Sequence, residues 1–136
     1  MKKFEFLEHT ADIKFRVYGK NIKDVFENSA LAVSHIFSRG KKIKSVKKKE
    51  FSVAAKNREA LLYQFIDNII YLFDAENFVV ARVDVKLLES KLNAVVYGDD
   101  ASHYKDLDSI KAATYAEMYI KQKKDKTWEA QVVVDV

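Results

Sequence analysis

A histidine and an aspartate lie close together near the start of the chain, in the segment His9-Thr10-Ala11-Asp12. An imidazole nitrogen and a carboxylate at the beginning of a strand can bind a metal ion or transfer a proton. The same segment can also be a polar turn in which Asp12 accepts hydrogen bonds from nearby amides. The residue types and their spacing leave both interpretations open.

A second aspartate interrupts an apolar run at the other end of the sequence, Val132-Val133-Val134-Asp135-Val136. A charged side chain inside a strand is costly unless it is paired, bound to a metal or placed at an edge. Asp135 and the carboxylate of Val136 together form the oxygen-rich kind of site that Ca²⁺, Mg²⁺ or Mn²⁺ prefers. A frayed, solvated end is the alternative, and spacing cannot show whether Asp12 and Asp135 meet.

Lys111 and Tyr115 fall on one face of a strand that we predict over residues 110–122. Lys111 is suited to bind a phosphate or to steady a group of carboxylates. The alternative is a lysine that faces solvent, as most lysines do.

A basic tract lies between residues 41 and 49 and could attract the phosphates of RNA. Lysines also protect edge strands from aggregation, which is the simpler interpretation. No aromatic residue is interleaved, so we do not expect bases to stack here. The lysines of the tract are Lys41, Lys42, Lys44, Lys47, Lys48 and Lys49.

Hydrophobic periodicity predicts seven strands and two helices that would position these residues. Asn21 and Asn57 are suited to cap the helices because an asparagine side chain can accept a hydrogen bond from an amide of the first turn. The later strands follow one another through connections too short for helical crossovers, so they must pair antiparallel. We therefore predict an α+β fold, a two-layer sandwich with a mostly antiparallel sheet and both helices packed on one face. The predicted strands are residues 4–7, 13–18, 43–54, 78–88, 91–98, 110–122 and 127–135; one helix begins at Asn21 and stops near Gly40, and the other covers residues 58–74.

The composition suits one folded domain over residues 1–136, with 49% hydrophobic residues, 32% charged residues and no proline. No apolar run reaches the roughly 18 residues that cross a membrane, and Glu5 and Glu8 interrupt the segment where a signal peptide would lie. We therefore expect a cytoplasmic protein. The absence of cysteine excludes disulfides and thiolate metal sites, and the net charge of +4 favours a polyanionic partner such as RNA.

The sequence lacks several patterns that are typical of enzymes. It has no glycine-rich phosphate loop, no Walker lysine, no nucleophilic triad and no histidine pair at metal-ligand spacing on a helix. A metal-dependent hydrolase would need a general acid or base beside its cation, and none is evident. We expect a protein that is not an enzyme, and an RNA-binding module that uses the lysines of residues 41–49 is the main alternative.

Several of these segments, taken together, resemble the archease family. The segments at the two ends of the chain are the most specific, and the matches run from the first residues to the last. They are Phe4–Ile13, Val17–Gly19, Leu61–Tyr63 with the apolar helix that follows, Gly98-Asp99, Ile110–Ala112 with Thr114-Tyr115, and Val134–Val136.

The resemblance implies an accessory factor of the GTP-dependent ligase that joins 3′-phosphate and 5′-hydroxyl ends of RNA during tRNA splicing and RNA repair. Such a factor promotes guanylylation of the ligase and allows multiple turnovers, and we expect any contact with RNA to be indirect, through the ligase. Family members have also been proposed as chaperone-like modulators of RNA-modifying enzymes.

The resemblance also implies roles for individual residues. Asp12 and Asp135 match the aspartates that bind a divalent cation, and the carboxylate of Val136 lies beside them. Lys111 matches a lysine thought to matter for activation of the ligase. We expect Lys111, His9 and Tyr115 to contact the ligase or a phosphate.

The chain departs from the family pattern at four positions. Lys14 replaces a glycine, Ser109 and Asp99 replace glutamates, and Ala116 replaces a histidine. The two aspartates and the lysine survive, so the resemblance supports the cation site more strongly than the details of partner docking.

Overall fold

The computed structural model describes all 136 residues, which form two helices and eight strands. A short 3₁₀ helix covers Ala101–His103. Neither of the two helices is long and apolar enough to span a bilayer. In chain order the elements are β1 (Phe4–Leu7), β2 (Ile13–Gly19), α1 (Ile22–Ser38), β3 (Lys47–Ala54), α2 (Arg58–Glu76), β4 (Phe78–Leu87), β5 (Lys91–Asp100), β6 (Ala112–Ala113), β7 (Tyr119–Gln122) and β8 (Trp128–Asp135).

Asparagine side chains begin both helices, as the sequence predicts. The Oδ1 atoms of Asn21 and Asn57 each accept a hydrogen bond of 2.8 Å from the amide three residues later. Each helix ends at a residue with a left-handed backbone, Arg39 with φ 56° and Asn77 with φ 54°. These caps fix the points at which the chain leaves each helix and turns toward the next strand.

The strands form two antiparallel sheets. The larger sheet has the order β1-β2-β8-β6, and β7 pairs with the same strand, β8, beside β6. The smaller sheet has the order β3-β5-β4. The α+β class, the antiparallel pairing and the two helices are therefore confirmed, and the structure adds that the strands divide into two sheets. In the smaller sheet β5 pairs with β3 on one side and β4 on the other, and in the larger sheet β8 pairs with β2 on one side and with β6 and β7 on the other.

The strand predicted over residues 110–122 is wrong in its middle, because residues 114–118 leave the sheet between β6 and β7. The amide and the hydroxyl of Thr114 both donate to the carbonyl oxygen of Val133, at 3.1 and 2.7 Å. The same hydroxyl accepts a hydrogen bond from the amide of Ala116 at 3.3 Å. A side chain thus takes up polar groups that a continuous strand would pair, and Glu117 adopts a left-handed backbone with φ 53°.

The basic tract begins outside the sheet. β3 starts at Lys47 rather than at Ile43, because the side chain of Ile43 is buried and the amide of Lys44 donates to the hydroxyl of Tyr104 at 2.9 Å. Residues 40–46 are consequently held against the fold without forming a strand.

A cluster of 32 buried hydrophobic residues joins the sheets and helices in one core. α1 packs mainly on β4 and β2, and α2 packs on β4 and β3. Phe26 and Phe65 meet edge to face at 5.5 Å, and Phe37 stacks on Phe73 at 4.4 Å, so aromatic pairs join the two helices. This packing fixes the strand ends that carry the candidate site.

Candidate functional site

The two ends of the sequence meet at one end of the larger sheet. β2 and β8 pair antiparallel, and the last pair at this end is Ile13 with Val134. Asp12 directly precedes β2 and Asp135 is the last residue of β8. The pairing therefore brings the two aspartates to the same end of the sheet, which sequence spacing could not show.

Lys111 reaches the same end of the sheet from the other side of β8. Ala112 pairs with Asp135, and the amide of Lys111 donates to the carbonyl oxygen of Asp135 at 2.8 Å. The side chain of Lys111 is exposed. Asp135 thus ends β8, and Asp12 and Lys111 directly precede β2 and β6, the strands on its two sides.

Tyr115 lies in the loop between β6 and β7 rather than on a strand. The prediction that it shares a strand face with Lys111 is wrong, because β6 ends at Ala113. Its ring stacks on that of Tyr63 from α2, with centroids 4.3 Å apart and planes at 7°, and 55% of the residue is exposed. One face of an aromatic pair is consequently presented to solvent near the end of β6.

His9 is held by a carboxylate that the sequence analysis did not identify. Its Nε2 atom lies 3.0 Å from Oε2 of Glu117, and Nζ of Lys14 donates to Oε1 of Glu117 at 3.2 Å. These hydrogen bonds from His9 and Lys14 lower the pKa of Glu117 below its ordinary value. Glu117 is therefore ionised at neutral pH and accepts the proton of Nε2.

The other ring nitrogen of His9 has no hydrogen-bond partner although it is buried. It lies 3.8 Å from Oδ2 of Asp12, which is too long for a hydrogen bond. In a neutral imidazole whose Nε2 carries the proton, Nδ1 carries a lone pair. In that form the lone pair of Nδ1 is the group of His9 nearest to Oδ2 of Asp12, and a proton or a cation between them would satisfy both.

Asp12 also lines a cavity of about 430 Å³. Asp108 lines this cavity and a second one of about 320 Å³, which Val136 lines as well. Oδ1 of Asp108 accepts hydrogen bonds from Nε and Nη2 of Arg39 at 3.0 and 2.8 Å, and this contact raises the pKa of Arg39. Asp108 thus lines both the cavity beside Asp12 and the cavity beside Val136.

Sequence reasoning missed Asp108 and Glu117. Glu117 enters the site through a loop whose departure from the sheet depends on Thr114, and no local spacing indicates that contact. Asp108 is brought in by the pairing of its side chain with Arg39 at the end of α1. Both contacts are long-range and leave no periodic signal.

No group of three or more His, Asp or Glu side chains converges closely enough to ligate a metal ion by itself. The residues present fit a divalent cation in part, because the unpartnered Nδ1 of His9 lies near Asp12, and Asp135 ends the neighbouring strand at the same end of the sheet. Metal-bound histidines commonly donate their other N–H to a carboxylate, as His9 does to Glu117.

A profile of the Archease protein family (MTH1598/TM1083) matches residues 4–136. The chain belongs to the archease family. Proteins named archease from Pyrococcus abyssi and Methanosarcina acetivorans are similar along their whole length. The first is 33% identical over 142 residues, covering 100% of both chains, and the second is 36% identical over 143 residues, covering 99% of this chain and 97% of the relative.

Two solved structures share the archease fold seen here. The solution structure of protein 1598 from Methanobacterium thermoautotrophicum has a TM-score of 0.85 at 28% identity and covers 100% of both chains. The crystal structure of an archease from Thermotoga maritima, described as a possible chaperone, has a TM-score of 0.63 at 20% identity and covers 96% of this chain and 94% of that one. The family resemblance read from the sequence is thereby confirmed.

Proposed function

We propose that this archease-family chain is a non-catalytic accessory factor that activates a GTP-dependent RNA ligase joining 3′-phosphate and 5′-hydroxyl ends. Family membership over residues 4–136 supports this role, and the description of one relative as a possible chaperone suits a protein that acts on other proteins. The site offers ligands and a lysine but no nucleophile with an adjacent base, which favours assistance over catalysis.

The proposal includes a divalent cation, Ca²⁺, Mg²⁺ or Mn²⁺, held by Asp12, Asp135, the carboxylate of Val136 and Nδ1 of His9. The observation that carries it is the buried, unpartnered Nδ1 atom 3.8 Å from Oδ2 of Asp12. Carboxylates suit all three cations, and an imidazole ligand favours Mn²⁺ over the other two. Such a cation would supply positive charge beside a phosphate group of the ligase reaction.

Lys111 and Tyr115 would contact the ligase or a phosphate. Lys111 is exposed beside the proposed ligands, and an ammonium group there can pair with a phosphate or with a carboxylate of the ligase. Tyr115 presents one ring face to solvent while Tyr63 supports the other. The two side chains thus border the proposed cation site without occupying it.

The proposal predicts that cation binding and ligase activation depend on the same residues. Asp12→Ala and Asp135→Ala should each abolish saturable binding of one Mn²⁺ in calorimetry and abolish stimulation of ligase guanylylation. Asp67→Ala is the matched control, since Asp67 is an exposed aspartate on α2 and is not one of the proposed ligands. It should bind and stimulate like the unaltered protein.

Two results would count against parts of this proposal. Normal stimulation of guanylylation by folded Asp12→Ala and Asp135→Ala proteins would exclude the site from ligase activation. If the unaltered protein stimulated the ligase without binding any cation, the proposed cation would be wrong and the accessory role would stand.

A further inference from the structure

A groove of about 360 Å³ lies between the end of α1, residues 40–45 and β4. None of its 12 lining residues is acidic, whereas three are cationic: Lys41, Lys42 and Arg82. Three serines and the imidazole of His35 also line it. The whole chain has a net charge of only +4, so this groove gathers an unusual concentration of positive charge. Such a lining favours an anionic ligand.

Only one of the three cations of the groove, Arg82, is paired with a carboxylate. Lys42 is exposed, and the ammonium of Lys41 donates only to the carbonyl oxygen of Lys105 at 3.3 Å. Arg82 donates one N–H to Asp84 at 2.9 Å. The remaining N–H groups of its guanidinium are available to a ligand, because arginine carries five donors.

A buried hydroxyl in the wall of the groove also lacks a partner. Ser38 is 1% exposed, and its Oγ atom has no hydrogen bond in the structure. Buried hydroxyls are normally satisfied by protein, water or ligand. Ser38 is therefore a second indication, independent of charge, that this wall receives a polar group.

The last, unpaired carbonyl groups of a helix normally repel an anion. This repulsion is reduced at the end of α1. The amides of Arg39, Gly40 and Lys41 donate to the carbonyl oxygens of Ile36, His35 and Ser38 at 3.4, 3.0 and 3.1 Å. Three carbonyl groups of the last turn are thus already satisfied. Gly40 has φ 82°, and a Cβ there would lie 3.2 Å from the ring of His35, so glycine also keeps this wall open.

An aromatic ring continues the basic surface beyond the groove. On the smaller sheet Tyr97 lies directly opposite Lys48 on one side and Arg82 on the other. The guanidinium of Arg82 lies over the ring of Tyr97, 4.1 Å from its centroid. The sequence shows no aromatic residue within the basic tract, but the neighbouring strand supplies one.

We propose that the groove and the adjoining Lys48–Tyr97–Arg82 surface bind a strand of single-stranded RNA directly. The groove takes a phosphate between Lys42, Arg82 and the hydroxyl of Ser38. The stacked guanidinium of Arg82 offers its outer face to a base, as arginine planes do in single-strand recognition. A polyanion suits this surface better than one small anion, because the cations extend from the groove along the edge of β3.

The proposal of RNA binding rests partly on the proposed function, because RNA is the substrate of the proposed ligase. His35 lines both this groove and the cavity that Asp12 lines, so a bound strand would lie next to the proposed cation site. The test below uses neither ligase nor cation. RNA binding and ligase activation can therefore fail separately.

The experiment is a fluorescence-polarisation titration of labelled oligouridylate of about ten nucleotides, within the usual site size of single-strand binders, in buffer with a chelator. The double variant Lys42→Ala/Arg82→Gln should weaken binding about tenfold and reduce the steepness of log affinity against log salt by about 0.7, the contribution of one neutralised phosphate of a single strand. Lys20→Ala/Lys124→Ala is the control of equal charge, at exposed lysines outside the groove. It should bind like the unaltered protein.

Two variants of Tyr97 separate the contribution of stacking from that of charge. Tyr97→Ala should weaken binding while leaving the salt slope unchanged, and Tyr97→Phe should restore it, because stacking needs the ring and not the hydroxyl. The proposal is overturned by absence of RNA binding in the unaltered protein, or by equal losses in the two lysine-containing double variants. Equally tight binding of an oligoglutamate of the same charge would also overturn it and indicate an acidic protein partner.

Discussion

At the scale of single residues, the contact between His9 and Glu117 decides what the candidate site can bind. The carboxylate of Glu117 accepts the Nε2 proton and leaves Nδ1 as the atom that faces Asp12. Lys14 keeps that carboxylate charged. Lys14 stands where the family usually has glycine, so a position that departs from the family pattern supports the orientation of His9.

Replacing Glu117 tests this arrangement. We expect Glu117→Gln to weaken Mn²⁺ binding about tenfold, the lower end of the effect of losing a carboxylate that orients a metal-bound histidine. The amide would leave the tautomer of His9 mixed, which nitrogen NMR of the imidazole would detect. Glu50→Gln, at an exposed glutamate of β3, is the control. Unchanged affinity together with an unchanged tautomer would show that Glu117 does not position His9.

At the scale of elements, the break between β6 and β7 places residues of a loop, rather than of a strand, in the candidate site. A continuous strand over residues 110–122 would have kept Tyr115 and Glu117 in the sheet. The loop instead lets Tyr115 stack on Tyr63 and brings Glu117 to His9. The hydroxyl of Thr114 holds the start of this loop against β8.

Thr114→Val should therefore weaken the attachment of the loop to β8 without creating a cavity, because valine has the shape of threonine but lacks its hydroxyl. We expect a loss of about 1 kcal/mol in the free energy of unfolding, the usual net contribution of one hydrogen bond. Amide hydrogen exchange should accelerate at residues 114–118 before it does in β8. Thr114→Ser is the control that retains the hydroxyl. Equal stability and exchange in the valine and serine variants would contradict this role.

Sequence reasoning succeeded where the cause is local. Asn21 and Asn57 cap their helices through amides three residues away, and such short-range chemistry is visible in the sequence. The break at Thr114 depends on a carbonyl of β8, which lies far along the chain. Alternating hydrophobicity therefore predicted one continuous strand through residues 114–118. That Asp12 and Asp135 belong to one site was implied only by family resemblance and stays a prediction, since register between distant strands has no local signal.

At the scale of the whole molecule, a buried aspartate connects the smaller sheet to the basic segment that follows α1. Asp99 is 3% exposed and accepts hydrogen bonds from Tyr104 at 2.8 Å and from His103 at 3.0 Å. Tyr104 in turn accepts from the amide of Lys44. This chain of bonds holds one wall of the RNA groove in place.

Stability should depend on pH through this aspartate. Burial raises the pKa of Asp99, but the hydrogen bonds from Tyr104, His103 and the amide of Asp100 outweigh it, so the pKa lies below its ordinary value. The folded state therefore gains stability above the unfolded pKa of about 3.9, and this gain disappears as the pH falls through the lower folded value.

Asp99→Asn should accordingly lower the Tm at pH 7, and its difference from the unaltered protein should shrink in acid. Thermal unfolding followed by circular dichroism at pH 7, 4 and 2.5 measures this, with Asp67→Asn as the exposed control. A difference in Tm that is the same at all three values would show that the charge of Asp99 does not contribute.

His35 forms part of both the RNA groove and the cavity beside Asp12. Two ligands that share a wall are thermodynamically coupled if either one shifts that wall, and the coupling is reciprocal. Any factor by which a bound cation strengthens RNA affinity must equal the factor by which RNA strengthens cation affinity. With positive coupling, an archease built in this way would hold its cation most tightly when an RNA strand is present, so substrate occupancy would regulate its capacity to assist.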